Sequence, residues 1–383
     1  MVALLLGQAR WIAPTTPDIR TNPYFDFTHL GETKLPIKRI IVLLSLILGM
    51  CIYSACDQLP NPFRSVKKVG MALDTGGDKD HGYNECSLRG AQKAAETSGL
   101  DFEYMVSATR KDYDKNIKAL IDADADLIFT IGSTQADATA KAARRYPDHH
   151  FVIMDYAFSP GISCPDTVSD CYTQEGGLAN VTSIVFKEDQ PAYLGGTLAA
   201  CMSESQNLGI VAGDQIPPVL RLVSGFENGA KSINPQINIQ TIYIPDFDDE
   251  ETGYQVARKL ISNGADILFC PAGKTGLGGL KAAAEFNVKA LGVDVDQYIT
   301  VPSARHVLIT SVMKNVDVAA GAIVEKFAKG TLRCGVYEFD LKSHGVGLAP
   351  YHEWEGKIPQ KCTQLVALAS KKIVLNPNRS LSK

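Results

Sequence analysis

The sequence predicts an α/β protein of two similar lobes, each a parallel sheet flanked by helices, facing one another across a cleft. Two observations carry this. Apolar strand-like runs alternate along the chain with helical patterns, the signature of βαβ units and parallel sheets. One pattern also occurs twice. The first copy is Asp126-Leu-Ile-Phe-Thr-Ile-Gly132, an amphipathic run over Ala136–Arg145, and Phe151-Val-Ile-Met-Asp155. The second is Asp266-Ile-Leu-Phe-Cys-Pro-Ala-Gly273, a run over Leu277–Phe286, and Ala290-Leu-Gly-Val-Asp294. Each reads as a buried strand, a glycine turn, a helix, and a strand ending in aspartate. Open parallel sheets bind ligands outside the carboxyl ends of their strands. Asp155 and Asp294 therefore fall at ligand-binding edges, one in each lobe.

The elements follow in order. Val66–Leu73 is a strand and Asn84–Ser98 a helix with Ala91, Ala94 and Ala95 inward. Phe102–Val106 is a strand, Asp112–Ile121 a helix, and the first repeated unit comes next. Cys164–Gly177 is a polar loop, and Asn180–Phe186 a strand that leaves the first lobe. In the second lobe Ala192–Met202 is a helix, Asn207–Ala212 a strand, Val219–Ile233 a helix, Ile237–Ile244 a strand and Glu250–Asn263 a helix. After the second repeated unit, His306–Met313 is a strand, Val316–Gly330 a helix and Val336–Leu341 a last strand. The chain is expected to return to lobe 1 near residue 300 and to give its last strand to lobe 2. Lobe 1 is then 66–186 plus 301–331, and lobe 2 is 187–300 plus 332–370. A tail over 371–383 is polar and expected to fray.

The chain has 383 residues, enough for two or three cores. Its net charge of −4 and lack of a long basic run disfavour nucleic acid as a partner. Before the first strand, Lys34, Lys38 and Arg39 precede an apolar run ending in Tyr53-Ser-Ala-Cys56. This is an export-signal pattern over 34–55. It is similar to a bacterial lipobox, in which Cys56 is lipidated and begins the mature protein. An uncleaved anchor helix is the alternative, although the apolar run is short for a span. Residues 1–33 read as an extension outside the natural protein or without a fold, and 56–65 as a tether. Of the nine cysteines, Cys164 with Cys171 and Cys334 with Cys362 are candidate disulfides, because each pair brackets a loop or strand region outside the core elements. Cys86, Cys201 and Cys270 sit in apolar runs and read as buried thiols.

Three loops fall at the predicted ligand edges. Asp74-Thr-Gly-Gly-Asp-Lys-Asp-His-Gly-Tyr-Asn84 joins the first strand to the first helix. Its glycines allow close ligand approach, and its bland reading is a solvated turn with Asn84 as helix cap. Tyr243-Ile-Pro-Asp-Phe-Asp-Asp-Glu250 puts an aromatic ring in an acidic loop. Phe247 either meets a ligand or folds back on the core. Pro271-Ala-Gly-Lys-Thr-Gly-Leu-Gly278 ends like a phosphate-binding loop, but Leu268 stands where that loop needs its first glycine. No Gly-x-Ser-x-Gly elbow, His-Glu-x-x-His pair, Gly-x-Gly-x-x-Gly fingerprint or Cys/His zinc spacing is present. No enzymatic activity, cofactor or metal is expected.

In order along the chain come Asp80-His-Gly-Tyr-Asn84, Asp112-Tyr-Asp-Lys-Asn116, Asn180-Val-Thr-Ser-Ile-Val-Phe-Lys187, Ala192-Tyr-Leu-Gly-Gly196, Ser224-Gly-Phe-Glu-Asn-Gly229, Ala272-Gly-Lys-Thr-Gly276, Gly292-Val-Asp-Val-Asp-Gln297 and Thr310-Ser-Val-Met-Lys314. Together they resemble the basic membrane protein family of periplasmic-binding-type lipoproteins, which includes purine-nucleoside-binding lipoproteins of ABC transporters. The resemblance spans about Val66 to Tyr351. It implies the type I periplasmic binding fold, a nucleoside ligand, a membrane permease as partner, a lipid anchor and a monomer. By position it implies a base between Tyr83 and Phe247, a base contact from Asn84, polar contacts from Asp155, Asp294 and Lys314, and a backbone contact at Gly273. The chain departs from the family with Tyr83 for phenylalanine and His81-Gly82 for Lys-Ser. The alternative is a ligand-sensing or signalling receptor of the same fold that binds another small molecule.

Overall fold

The computed structural model describes residues 66–173 and 176–376. The export signal, the lipobox with Cys56 and the tether lie outside the described residues. The first lobe begins with β1 (Lys68–Ala72), α1 (Tyr83–Thr97), β2 (Asp101–Met105), α2 (Tyr113–Asp122), β3 (Leu127–Thr130), α3 (Ala136–Arg145), β4 (His150–Met154) and β5 (Val181–Phe186). The chain then crosses to the second lobe. That lobe holds α4 (Asp189–Met202), β6 (Asn207–Ala212), α5 (Pro217–Ile233), β7 (Asn238–Tyr243), α6 (Glu250–Ser262), β8 (Ile267–Phe269), α7 (Gly273–Glu285), β9 (Lys289–Asp294), the single turn α8 (Gln297–Thr300) and β10 (Leu308–Lys314). A second crossing leads to α9 (Val316–Ala328) and β11 (Gly335–Phe339) in the first lobe. A third returns the chain to β12 (Val346–Leu348) and α10 (Gln360–Leu375).

The first sheet has the order β11-β5-β4-β3-β1-β2 and is parallel throughout. The second has the order β12-β10-β9-β8-β6-β7, with only β12 antiparallel. Central strands such as Leu127-Ile-Phe-Thr130 are buried on both faces, which is why they read as continuous apolar runs and not as alternation. Around each sheet, helices approach closely. At the α4–α5 contact a Cβ on Gly196 would lie 1.9 Å from the Phe226 carbonyl oxygen, so only glycine permits that crossing.

Two strands lie in the sheets opposite to those expected. β10 pairs with β9 in the second sheet, with Ser311 opposite Gly292, and not in lobe 1. β11 pairs with β5 in the first sheet, with Tyr337 opposite Ile184, and not in lobe 2. The reason is local. The link from β9 to β10 is short and keeps the strand beside its predecessor, whereas α9 packs on α1 and carries β11 back to lobe 1.

The cysteines divide likewise. Cys164 and Cys171 are joined, closing the loop after β4. The expected Cys334–Cys362 bond is replaced by Cys201–Cys362. Cys362 lies on α10, which packs on α4 where Cys201 sits. Cys334 precedes β11 on the other lobe and is a free thiol 4.0 Å from His150. Nor does the chain fray at 371, because α10 continues to Leu375 and buries Ile373.

Candidate functional site

At the carboxyl ends of the two sheets lies a cleft with about 660 Å³ of empty space, part of it open to solvent. Tyr83, Asn84, Asp155, Phe247, Gly273, Asp294 and Lys314 all line it. β4 and β9 deliver their aspartates by the same bend. Asp155 has φ +64° and Asp294 φ +63°, a left-handed conformation costly for a side chain and concentrated at functional sites. Both carboxylates turn to Lys314, the last residue of β10. Its Nζ donates to Asp155 Oδ2 at 2.6 Å and lies 3.5 Å from Asp294 Oδ1 and 4.0 Å from Glu188 Oε1. Glu188, just past the first crossing, is wholly buried and gripped by Arg221, whose Nε and Nη2 donate at 2.6 and 3.3 Å.

Burial alone would lower the lysine's pKa, but Asp155, Asp294 and Glu188 outweigh it and hold the ammonium above the usual lysine range. Burial raises Asp294, and it lifts Glu188 to about 7 against the pull of Lys314. The cluster leaves gaps. Asp155 Oδ1, Asp294 Oδ1, the Tyr83 hydroxyl and Ser133 Oγ are buried without hydrogen-bond partners. For Asp294 the 3.5 Å ion pair with Lys314 is electrostatic contact without a hydrogen bond. Buried polar atoms are rarely left so, and a bound polar molecule would satisfy them.

The aromatic rings come from opposite lobes. Tyr83 opens α1, with the Lys314 ammonium 4.7 Å above its ring. Burial raises the pKa of its phenol, and the nearby charges of Asp155, Asp74 and Asp294 raise it further. Phe247 lies in the loop between β7 and α6. Its ring presses on Gly213, where a Cβ would meet it at 2.3 Å, and its carbonyl accepts from the Thr275 N–H at 3.2 Å. Gly273, at φ +57°, starts α7 against the Phe247 carbonyl. Val219 and Leu222 from α5, with Val293, make the cleft's apolar wall.

Asn84 does not cap α1. The cap is Asp80, whose Oδ1 accepts from the Gly82 and Glu85 N–H groups at 2.9 and 3.1 Å and whose Oδ2 accepts from the Asn84 N–H at 2.7 Å. The Asn84 amide instead ties two carboxylates together. Its Nδ2 donates to Asp74 Oδ1 at 2.9 Å and Asp80 Oδ2 at 3.0 Å, while its Oδ1 accepts from the Asp74 N–H at 3.3 Å. Asp74, just past β1, also lines the cleft, and burial pushes its carboxyl up to about 6. Sequence reasoning passed over it, although it obeys the rule that selected Asp155 and Asp294, a buried strand followed by an aspartate. Glu188 and Arg221 had no such signal. Among the described residues no group of three or more His, Cys, Asp or Glu side chains is placed to hold a metal.

A family model described as ABC transporter substrate-binding protein, PnrA-like, matches residues 67–374. The CD4+ T-cell-stimulating antigen of Listeria monocytogenes is 30% identical over 82% of this chain and 89% of its own. The ABC transporter nucleoside-binding protein BmpA of Lactococcus lactis is 27% identical over 73% of this chain and 81% of its own. Among solved structures, an ABC transporter solute-binding protein from Aeropyrum pernix K1 superposes with a TM-score of 0.72 at 24% identity, over 81% of this chain and 92% of its own. That likeness supports the two-lobed type I periplasmic binding fold.

Proposed function

Because this chain belongs to the PnrA-like, or basic membrane protein, family of ABC transporter substrate-binding proteins, we propose that it captures a purine nucleoside between its lobes and presents it to a membrane permease. The observation that carries the ligand class is the juxtaposition of two aromatic side chains with two carboxylates left half-satisfied around one lysine. A purine offers flat faces to rings. A ribose diol offers two O–H donors to the free oxygens of Asp155 and Asp294, and Lys314 offsets their charge. The carboxylates and their lysine come from both sides of the cleft: Asp155 follows a lobe 1 strand, and Asp294 and Lys314 end lobe 2 strands. A ligand that bridges them holds the lobes shut. The name of the Lactococcus relative supports the nucleoside class. Lipid attachment at Cys56 completes the reading, since a tethered receptor stays beside its permease.

Mass spectrometry of small molecules released from the purified, denatured protein tests the ligand class. A purine nucleoside is the expected species, and a sugar or amino acid in its place overturns the reading. Palmitate labelling tests the anchor, with label expected on the native chain and lost in Cys56→Ser. Full labelling of that variant removes Cys56 as the lipidated residue.

A further inference from the structure

The lysine at the centre of the cluster stops short of its second partner. An ammonium has three N–H donors. Among the described residues Lys314 Nζ makes one hydrogen bond, to Asp155 Oδ2 at 2.6 Å, and stands 3.5 Å from Asp294 Oδ1 and 4.0 Å from Glu188 Oε1. A charge-assisted bond to Asp294 would need about 2.8 Å. Closing that gap would spend Asp294 Oδ1, which together with Asp155 Oδ1 is a buried acceptor without a hydrogen-bond partner. Opposite charges attract strongly at this range inside a protein, so a further charge has to oppose the collapse.

Glu188 supplies that charge from outside the cavity. It is wholly buried and is not among the residues that line the cleft. Its backbone is fixed where the chain changes lobes. The Lys187 N–H still donates to the Phe339 carbonyl of lobe 1 at 2.9 Å, while the Glu188 carbonyl already accepts from the Ala192 N–H of α4 at 3.2 Å. Arg221 of α5 donates to both carboxylate oxygens. That grip favours the ionised carboxylate. It also keeps Glu188 from swinging onto the lysine and drawing it away from Asp155. Lys314 therefore sits under opposed pulls, one from a carboxylate that cannot advance and the others from the aspartates of the cleft.

We infer that Glu188 is a positioning residue: held by Arg221, it keeps the Lys314 ammonium off Asp294, so that the free carboxylate oxygens of the cleft remain available to the hydroxyls of the ligand's sugar. This rests on the nucleoside reading of the same cleft. Glu188 touches no ligand and acts through the lysine. Without its charge the ammonium closes on Asp294, and a sugar hydroxyl then has to displace an ion pair to find its acceptor. The fixed counter-charge thereby sets how strongly the diol is read.

Glu188→Gln keeps the size of the side chain and an acceptor for Arg221, and removes the charge. Calorimetric titration of ligand-stripped full-length protein at pH 8, above the value of about 7 that burial gives Glu188, compares inosine with 2′,3′-dideoxyinosine and adenosine with 2′,3′-dideoxyadenosine. Each dideoxy probe loses the diol and keeps the base. In the unaltered protein, whichever parent binds is expected to bind roughly 10- to 100-fold more tightly than its dideoxy partner. In Glu188→Gln that ratio is expected to fall toward one, through weaker binding of the parent with the dideoxy probe barely changed. A merely structural role for Glu188 would weaken parent and probe equally, and a preserved ratio overturns the inference. So does a ratio of one in the unaltered protein. A crystal structure of the ligand-stripped unaltered protein needs no variant to fold. Lys314 Nζ is expected beyond hydrogen-bond distance of Asp294 Oδ1 there, and a direct bond between them overturns the inference. Failure of both parents to bind overturns the nucleoside reading instead, and the position of the lysine in that crystal structure still decides the role of Glu188.

Discussion

Three carboxylates surround one ammonium at the end of β10. Asp155, Asp294 and Glu188 all lie within 4.0 Å of Lys314 Nζ, and the lysine is 4% exposed. Removing that shared charge takes from the Asp155 and Asp294 carboxylates their cation, while Glu188 keeps Arg221. Lys314→Met is therefore expected to destabilise the fold by roughly 3–5 kcal/mol, as broken buried pairs do, and to abolish ligand binding. Denaturant titration checks the first and calorimetry the second. Unchanged stability would mean the cluster is already neutral. Asp74 gives a pH signature. Burial holds its folded pKa at about 6, above the ordinary aspartate value of 3.8. The folded state therefore binds the proton more tightly, and this contribution is fully present below about pH 3.8 and lost as pH rises through 6. Melting temperatures of Asp74→Asn minus those of the wild type should increase from pH 4 to pH 7. A flat difference contradicts a buried, ionising Asp74. At this scale the sequence was readable where a strand ended in a charged residue. It was silent on Glu188, whose role depends on Arg221 arriving from another helix.

The elements were legible wherever a local period sets them. α1 was expected from Asn84 and begins one residue earlier, because Asp80 reaches past two turn residues to cap it. What the sequence did not carry was partnership between distant elements. β10 and β11 are each a single strand beside α9, and nothing in either sequence says which sheet receives it. The same holds for Cys362, whose partner is fixed by α10 lying on α4 and not by proximity in the chain. This bond spans 161 positions and anchors an otherwise half-exposed terminal helix. Cys362→Ser is expected to cost roughly 2–5 kcal/mol, while Cys334→Ser should leave stability unchanged. Thermal melts of the two variants, with peptide mapping under non-reducing conditions, decide the pairing. A large loss from Cys334→Ser together with a 334–362 peptide would restore the pairing first expected.

The whole molecule is two sheets joined by three crossings, and the crossings lie beside the site. Glu188 follows the first and Lys314 immediately precedes the second. At the rim Arg110 of lobe 1 meets Asp214 of lobe 2 at 3.1 Å. A ligand that satisfies groups on both sides of the cleft therefore couples directly to the angle between the lobes. The two-lobed plan was visible in the repeated unit alone, because each copy ends at the sheet edge that binds ligands. The direct test of the whole account is calorimetric titration of ligand-stripped protein with inosine, adenosine, guanosine, cytidine and hypoxanthine, repeated on Asp294→Ala. The account predicts that a purine nucleoside binds tightest. It predicts that Asp294→Ala weakens that nucleoside by roughly 1–3 kcal/mol, through ribose hydroxyls left unpaired, and barely changes hypoxanthine, which has no ribose. Nucleoside affinity unchanged by Asp294→Ala, or no binding of any of the five by the unaltered protein, would contradict it.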